Sequence, residues 1–214
     1  MEKFKTFSGT VCAVDRANID TDALIPKEHL KSIKKTGFGP ALFSDWRYND
    51  DGSDNLNFSL NHPKAKNASI LIGRNNFGCG SSREHAVWAV AQQGFKVVIA
   101  PRVGEIPGFA DIFKNNCSKN GILAIELNSD EADKIFNLSK KDEPLSVTVN
   151  LNNQKLIFKE IEFNFEIDIS VKEKLLSGMD DIAESLSHLE SIEKFETSHN
   201  TQFLKQKKRN FNDV

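Results

Sequence analysis

Cysteine is scarce in this chain and is never clustered. The 214 residues contain three cysteines, Cys12, Cys79 and Cys117, which lie far apart in the sequence. An odd number of isolated cysteines predicts no disulfide framework and indicates a reducing compartment. An iron–sulfur cluster needs three or four thiolates, usually with one closely spaced pair, and the five histidines show no zinc-binding spacing. The sequence therefore predicts no metal site on this polypeptide.

Strong charge of one sign and long apolar runs are also lacking. The formal net charge is −2, which predicts neither a nucleic-acid-binding surface nor a polybasic membrane patch. No apolar run is long enough for a transmembrane helix, and the residues after Met1 do not have the pattern of a signal peptide. We therefore expect a cytoplasmic globular protein with no nucleic acid and no membrane as partner.

The central part of the chain has the pattern of a βαβ unit. An apolar run at residues 68–73 predicts a buried strand, and apolar residues at helical spacing predict a helix that ends near Gly94. Residues 96–100 predict a second buried strand, and strict alternation in the C-terminal third predicts further strands. The sequence thus predicts an α/β fold, with one domain over residues 1–190 and a C-terminal extension over residues 191–214.

The turn between the first predicted strand and the helix is the candidate site. Gly78 and Gly80 lack side chains, so a ligand could approach the backbone there. Two adjacent hydroxyls, on Ser81 and Ser82, and the guanidinium of Arg83 follow at the predicted start of the helix. Unpaired N–H groups and the helix dipole favour anions at such a place. We therefore predict that this turn binds a carboxylate or a phosphate.

Two structural or functional alternatives fit the same residues. Ser81 and Glu84 match the capping-box pattern, in which both side chains only satisfy the backbone at a helix start. Gly78 and Gly80 also resemble the beginning of a dinucleotide-binding fingerprint, although Arg83 stands where the third glycine is required. An NADP-dependent reductase is the function that this second alternative predicts.

Two further residues of the turn region carry reactive groups. For Cys79, a small residue in a turn, we favour a structural role over that of a nucleophile. For His85, one turn into the predicted helix, we favour a structural role over that of a general base. Neither residue is therefore included among the predicted catalytic residues.

Residues 75–86 closely resemble the active-site turn of the aconitase superfamily, specifically of the small subunits of isopropylmalate dehydratases. The resemblance extends in order and spacing from about residue 7 to about residue 182. It is carried by residues 18–27, 36–39, 42–48, 75–86, 109–117 and 120–123. It implies the swivelling β/β/α domain that resembles the C-terminal domain of aconitase. Two departures are an insertion at residues 102–108 and Val87 in place of the usual proline; we interpret the insertion as a longer surface loop.

The resemblance also implies a reaction and a partner. Enzymes of this family interconvert 2-isopropylmalate and 3-isopropylmalate through 2-isopropylmaleate, in leucine biosynthesis. Their large subunit carries a [4Fe–4S] cluster as Lewis acid, so this chain would hold no cofactor and would be active only in the complex. By the same resemblance Ser81 is the base, acting as an alkoxide, while Ser82 and Arg83 bind a carboxylate of the small dicarboxylate substrate.

Other assignments remain open at this point. The chain could be the small subunit of a related hydro-lyase of the homoaconitase or citraconate type. A non-catalytic interaction subunit is a third class, against which the intact Ser81, Ser82 and Arg83 argue.

Overall fold

The computed structural model describes residues 1–31, 35–81, 83–159 and 161–199. Within these residues seven strands form one sheet, in the order β4-β3-β2-β1-β5-β6-β7. The first four strands pair in parallel and the other pairings are antiparallel. The strands are β1 (Phe7–Ala13), β2 (Ile70–Ile72), β3 (Val97–Arg102), β4 (Leu123–Asn128), β5 (Ser146–Asn150), β6 (Lys155–Ile157) and β7 (Glu162–Asn164).

Helices connect the parallel strands and follow the antiparallel ones. They are α1 (Thr21–Leu24), α2 (Ser44–Arg47), α3 (Glu84–Gln92), α4 (Asp111–Lys119), α5 (Ser129–Ser139), α6 (Ile169–Ser177), α7 (Asp181–Ser187) and α8 (Leu189–Ser198). Short 3-10 turns occur at Lys27–Lys31, Gly39–Ala41, Ser59–Asn61 and Pro63–Ala65.

The parallel half of the sheet contains the predicted βαβ unit as β2, α3 and β3. Parallel strands with both faces covered are apolar at successive positions. Ile70, Leu71 and Ile72 are accordingly fully buried. Leu71 packs in the cluster that includes α3 and α4, whereas Ile70 and Ile72 pack in the cluster that includes α5. The prediction of a mixed α/β fold is confirmed, and the sheet is sandwiched between two apolar layers.

The antiparallel half is a meander formed by β5, β6 and β7. It pairs with the parallel half through β1 and β5, where Phe7 lies opposite Val149. Buried Phe158, Phe163 and Phe165 contribute to the cluster on the α5 face. The compact unit ends with α6, which stops at Gly178 in the left-handed conformation that favours glycine, with φ +69°.

The chain divides into two compact units, Met1–Gly178 and Met179–Val214. The first holds the whole sheet, and the second holds α7 and α8. The expected division at residue 190 stays a prediction. None of the helices within the described residues is long and apolar enough to span a bilayer.

Candidate functional site

Three loops converge at the carboxyl edge of the parallel strands. They follow β1, β2 and β3, whose parallel pairing places their carboxyl ends side by side. Ligands of α/β proteins bind at this edge. The predicted site turn is the loop that follows β2, so its position agrees with a binding role.

The site turn presents Ser81 to solvent. Ser81 is exposed, whereas Gly78, three residues earlier in the turn, is buried. Gly78 and Gly80 have φ angles of +74° and +85°, in the region that favours glycine. Ser82 lies outside the described residues, and its role in substrate binding stays a prediction.

The capping-box alternative for Ser81 and Glu84 is wrong. Helix α3 begins at Glu84, and its N-cap is Arg83, whose extended backbone has φ −122° and ψ 127° and whose side chain makes no capping hydrogen bond. The Oε1 atom of Glu84 instead accepts a hydrogen bond of 3.0 Å from Asn120 Nδ2. Because the helix begins three residues after Ser81, the Ser81 side chain is not its cap.

The loop after β1 holds one side of the turn. Gly78 N–H donates to the Ile19 carbonyl at 2.7 Å, and Thr21 N–H donates to the Cys79 carbonyl at 2.9 Å. The Thr21 hydroxyl donates to the Ser81 carbonyl at 2.6 Å. Three consecutive contacts therefore fix the main chain of the turn from Gly78 to Ser81.

The loop after β3 holds the other side of the turn. Asn76 N–H donates to the Pro107 carbonyl at 2.9 Å, and Phe77 N–H donates to the Gly108 carbonyl at 2.8 Å. Ala110 N–H in turn donates to the Phe77 carbonyl at 3.0 Å. Main-chain hydrogen bonds thus hold the turn between its two neighbouring loops.

The insertion at residues 102–108 is exposed over residues 102–106, as predicted for a surface loop, and it forms a hairpin. Val103 and Ile106 exchange both backbone hydrogen bonds at 3.0 Å, which closes a two-residue hairpin. Gly104, with φ +57°, occupies the first central position, as in a type II′ turn. The Glu126 carboxylate holds the two ends of this hairpin together, because it accepts hydrogen bonds from Arg102 Nε at 2.8 Å and from Gly108 N–H at 2.6 Å.

Asp22 joins the two cationic side chains beside the turn. Arg83 Nη1 donates to Asp22 Oδ1 at 2.8 Å, and Lys27 Nζ lies 3.6 Å from Asp22 Oδ2. The Arg83 side chain is 26 % exposed. Since this contact uses one nitrogen of the guanidinium fork, further N–H donors of Arg83 are available to an anion. Asp20 adds a second carboxylate beside the turn, since a Cβ at Gly80 would lie 3.4 Å from Asp20 Cβ, so two carboxylates balance the two cations.

Three residues of the site were missing from the predicted set. Thr21 contacts the turn, Asp22 contacts Arg83 and Lys27 contacts Asp22, although all three precede Ser81 by more than fifty residues. The sequence signal for them is the resemblance over residues 18–27, which contains all three. Through these contacts, a segment that is distant in sequence forms part of the same site as the turn.

The two glycines of the turn have different surroundings. A Cβ at Gly78 would lie 2.2–2.5 Å from atoms of Phe113, so a buried ring covers that side of the backbone. A Cβ at Gly80 would meet Asp20 Cβ at 3.4 Å, an ordinary van der Waals distance. Gly78 is therefore needed for packing, whereas a Cβ at Gly80 would make only ordinary contacts with Asp20 and Thr21.

Replacing Gly78 with alanine should destabilise the fold more than the same change at Gly52. Gly52 has a similar φ of +81° but nothing within 4 Å of the added Cβ, so Gly52→Ala carries only the backbone strain, about 1–2 kcal/mol. Gly78→Ala adds overpacking against Phe113, about 1–3 kcal/mol more. The free energies of unfolding in denaturant measure the difference. Equal losses at the two positions would show that Phe113 does not constrain Gly78.

The cysteines have the properties of structural residues. Burial raises the pKa of the Cys12 thiol to about 12, and burial also raises the pKa of Cys117. Partial burial and the neighbouring Asp20 raise the pKa of Cys79. Because the thiolate is the nucleophile and the metal ligand, these shifts oppose both roles. The structural role that we favoured for Cys79 agrees with this environment.

His85 lies among aromatic rings. The His85 ring packs against Trp88 at 4.7 Å and edge-on against Phe38 at 5.4 Å, measured between ring centroids. Within the described ranges, no three side chains among histidine, cysteine, aspartate and glutamate are grouped so as to hold a metal ion.

Comparisons with known proteins agree with this geometry. The family model of the aconitase C-terminal domain matches residues 1–130. The 3-isopropylmalate dehydratase small subunit of Desulforapulum autotrophicum is 49 % identical over 208 residues, which cover 94 % of this chain and 97 % of that protein. The corresponding subunit of Halalkalibacterium halodurans is 49 % identical over 199 residues, which cover 92 % and 99 %.

A solved structure shares the fold. The crystal structure of 3-isopropylmalate dehydratase from Methanocaldococcus jannaschii aligns with a TM-score of 0.61 and 24 % identity, covering 90 % of this chain and 99 % of that chain. The predicted resemblance to the aconitase swivelling domain is thereby confirmed. By the family match and by identity over nearly its whole length, the chain belongs to the aconitase C-terminal domain family, among the small subunits of 3-isopropylmalate dehydratases.

Proposed function

We propose that this chain supplies the proton-removing half of a hydro-lyase active site that a large subunit completes. The proposed reaction interconverts 2-isopropylmalate and 3-isopropylmalate through 2-isopropylmaleate, in leucine biosynthesis. The observation that carries the proposal is the exposed Ser81 on a turn held from both sides, with Arg83 two residues away. The names of the relatives as small subunits support the requirement for a partner.

Ser81 is the proposed base. Its alkoxide takes the carbon-bound proton and becomes a neutral hydroxyl, while the electron pair of the broken C–H bond forms the C=C bond and the substrate hydroxyl leaves. Hydroxide then adds to the carbon that lost the proton, and Ser81 gives its proton to the carbon that lost the hydroxyl, which restores the alkoxide and completes the isomerisation. A serine hydroxyl is a poor base near neutral pH and needs positive surroundings. Arg83, Lys27 and the N-terminus of α3 are the groups of this chain that favour the alkoxide, whereas Asp20 and Asp22 oppose it.

Arg83 is the proposed ligand of a substrate carboxylate. A guanidinium binds a carboxylate through two parallel N–H···O bonds, which fix orientation as well as charge. Asp22 holds Arg83 Nη1 at 2.8 Å and so limits the orientations of the fork. We propose Ser82 as a second ligand of the same substrate and Gly78 and Gly80 as the residues that shape the anion-binding turn.

The cofactor belongs to the proposed partner. When bound there, a [4Fe–4S] cluster supplies a Lewis acid for the leaving hydroxyl. The donors of this chain do not fit such a cluster, because Cys12 and Cys117 are buried in β1 and α4 and their pKa values are raised. We therefore propose that the cluster is bound by the large subunit. We also propose that the complex is cytoplasmic, as the scarce, isolated cysteines indicate.

The reductase alternative has less support. The third glycine of the dinucleotide fingerprint allows close packing of helix and strand, yet Arg83 occupies that position, as the extended residue before α3. Family membership also favours the hydro-lyase class over an NADP-binding reductase.

Co-expression with the large subunit tests the proposed reaction and its substrate. The anaerobically purified complex should hydrate 2-isopropylmaleate with a higher kcat/KM than it shows for citraconate or homoaconitate. A preference for one of those two acids would assign the chain to a related hydro-lyase. The reductase would be supported instead by two results together. The complex would hydrate none of the three acids, and the chain alone would bind NADPH in a fluorescence titration.

Replacing Arg83 with lysine should weaken substrate binding although the charge is kept, because lysine lacks the planar fork. We expect KM for 2-isopropylmaleate to rise by about tenfold, which corresponds to about 1.4 kcal/mol. Arg102→Lys is the matched control, since Arg102 Nε also contacts one carboxylate, Glu126, at 2.8 Å. Parental KM and kcat in Arg83→Lys would remove Arg83 from the substrate site.

A further inference from the structure

We propose that Thr21 is a positioning residue for Ser81, and that its hydroxyl fixes the main chain that carries the base. The inference rests on the proposed function of Ser81. Thr21 is 1 % exposed and, with Ser118, is one of two buried polar residues in the part of the chain that the structure describes. A buried hydroxyl needs a hydrogen-bond partner, and the partner of Thr21 is the carbonyl of Ser81 itself, at 2.6 Å.

Thr21 contacts the turn at two points that bracket its exposed tip. Its N–H donates to the Cys79 carbonyl at 2.9 Å, and its hydroxyl donates to the Ser81 carbonyl. Gly80 lies between the two carbonyls, with φ +85°. Glycine adopts many backbone conformations, so the position of the Ser81 Cα depends on both carbonyls being held. The hydroxyl of Thr21 supplies the second of these two restraints.

Thr21 is itself firmly held. It is the first residue of α1, and the side chain of Asp20 caps this helix by accepting from Ala23 N–H at 2.7 Å. The Thr21 carbonyl accepts from Ile25 N–H at 3.0 Å. The backbone of Thr21 is therefore fixed in a hydrogen-bonded helical turn, and its hydroxyl binds the main chain of Ser81 directly.

Placement matters for the chemistry because proton transfer requires the base within hydrogen-bond distance of the proton. A displacement of about 1 Å can lower a rate by about 10²-fold. Loss of the Thr21 hydroxyl leaves Ser81 chemically intact but poorly placed. It should thus lower kcat without a comparable change in KM, since the substrate carboxylate is bound by other groups.

The experiment compares Thr21→Val with Thr21→Ser in the complex with the large subunit. Valine keeps the shape of threonine and removes the hydroxyl, while serine keeps the hydroxyl. Ser118→Ala is the matched control, because Ser118 is also buried and its hydroxyl donates to a backbone carbonyl, that of Asn115, at 2.8 Å in α4. Hydration of 2-isopropylmaleate is measured at saturating large subunit, below the melting temperature of every variant.

We expect Thr21→Val to lower kcat by about 10–100-fold with KM within a few-fold, and Thr21→Ser and Ser118→Ala to stay near the parental kcat. Parental kcat in Thr21→Val would overturn the proposal, as would a Thr21→Ser or Ser118→Ala variant as slow as Thr21→Val. If Thr21→Val does not yield folded protein, Thr21→Ala removes the same hydroxyl and takes its place.

Ser81→Ala, measured in parallel, separates this proposal from the proposed function. A slow Ser81→Ala variant with a parental Thr21→Val variant would overturn the positioning role alone. Parental turnover in Ser81→Ala would overturn both, because there would be no base on Ser81 to position.

Discussion

Replacing Ser81 with alanine should lower the turnover of the complex by about 10²–10⁴-fold, the usual effect of losing a general base. The change removes one oxygen from an exposed side chain. The hydrogen bonds that hold the turn use the main chain of Ser81 and remain available. We therefore expect the variant to fold and to associate with the large subunit as the parent does, so that the loss lies in the chemical step.

Ser53→Ala is the control for Ser81→Ala. Ser53 is also an exposed serine in a turn, and its hydroxyl donates to Asp51 Oδ1 at 2.6 Å. Its loss should leave turnover at the parental value. If the turnover of Ser81→Ala stays within a few-fold of that of Ser53→Ala, Ser81 has no catalytic role.

The chain without its partner should have no measurable dehydratase activity. Elimination requires a base and a Lewis acid, and the residues of this chain fit only the first. After anaerobic purification and an attempt at iron–sulfur reconstitution, we expect iron and sulfide far below one cluster per chain. The same treatment of the complex should give a full cluster and hydration of 2-isopropylmaleate. A stoichiometric cluster on the chain alone would contradict the assignment of the cofactor to the partner.

The local pattern of the sequence predicted the central fold well. The apolar runs before and after the turn become β2 and β3, and helical spacing places α3 between them. These elements depend on the period of apolar residues, which is readable within short windows. The family and the overall fold were predicted from the resemblance of residues 75–86 and of the other segments that share it.

The contacts that build the site were not readable in the same way. The Thr21–Ser81 and Asp22–Arg83 hydrogen bonds join residues 60 and 61 positions apart. No local pattern encodes such pairs, because they depend on how β1 and β2 lie side by side. The capping pattern of Ser81 and Glu84 failed for a related reason, since Arg83 is extended and delays the start of α3.

The insertion at residues 102–108 shows the same limit. Its glycine and proline predicted a loop, and its hairpin depends on hydrogen bonds between Val103 and Ile106. Its position depends on Glu126, a residue of β4 more than fifteen positions away. Composition indicated that the chain turns there but not what holds the turn in place.

Titration of a fixed amount of the large subunit with this chain tests the shared active site most directly. Hydration of 2-isopropylmaleate is followed as parental chain, or the Ser81→Ala variant, is added, and calorimetry reports the binding of each. The parental chain should raise turnover from background to a plateau at one chain per large subunit. The variant should bind with the same stoichiometry and reach a plateau lower by about 10²-fold or more. Turnover by the parental chain without the large subunit, or equal plateaus for the two chains, would contradict the account.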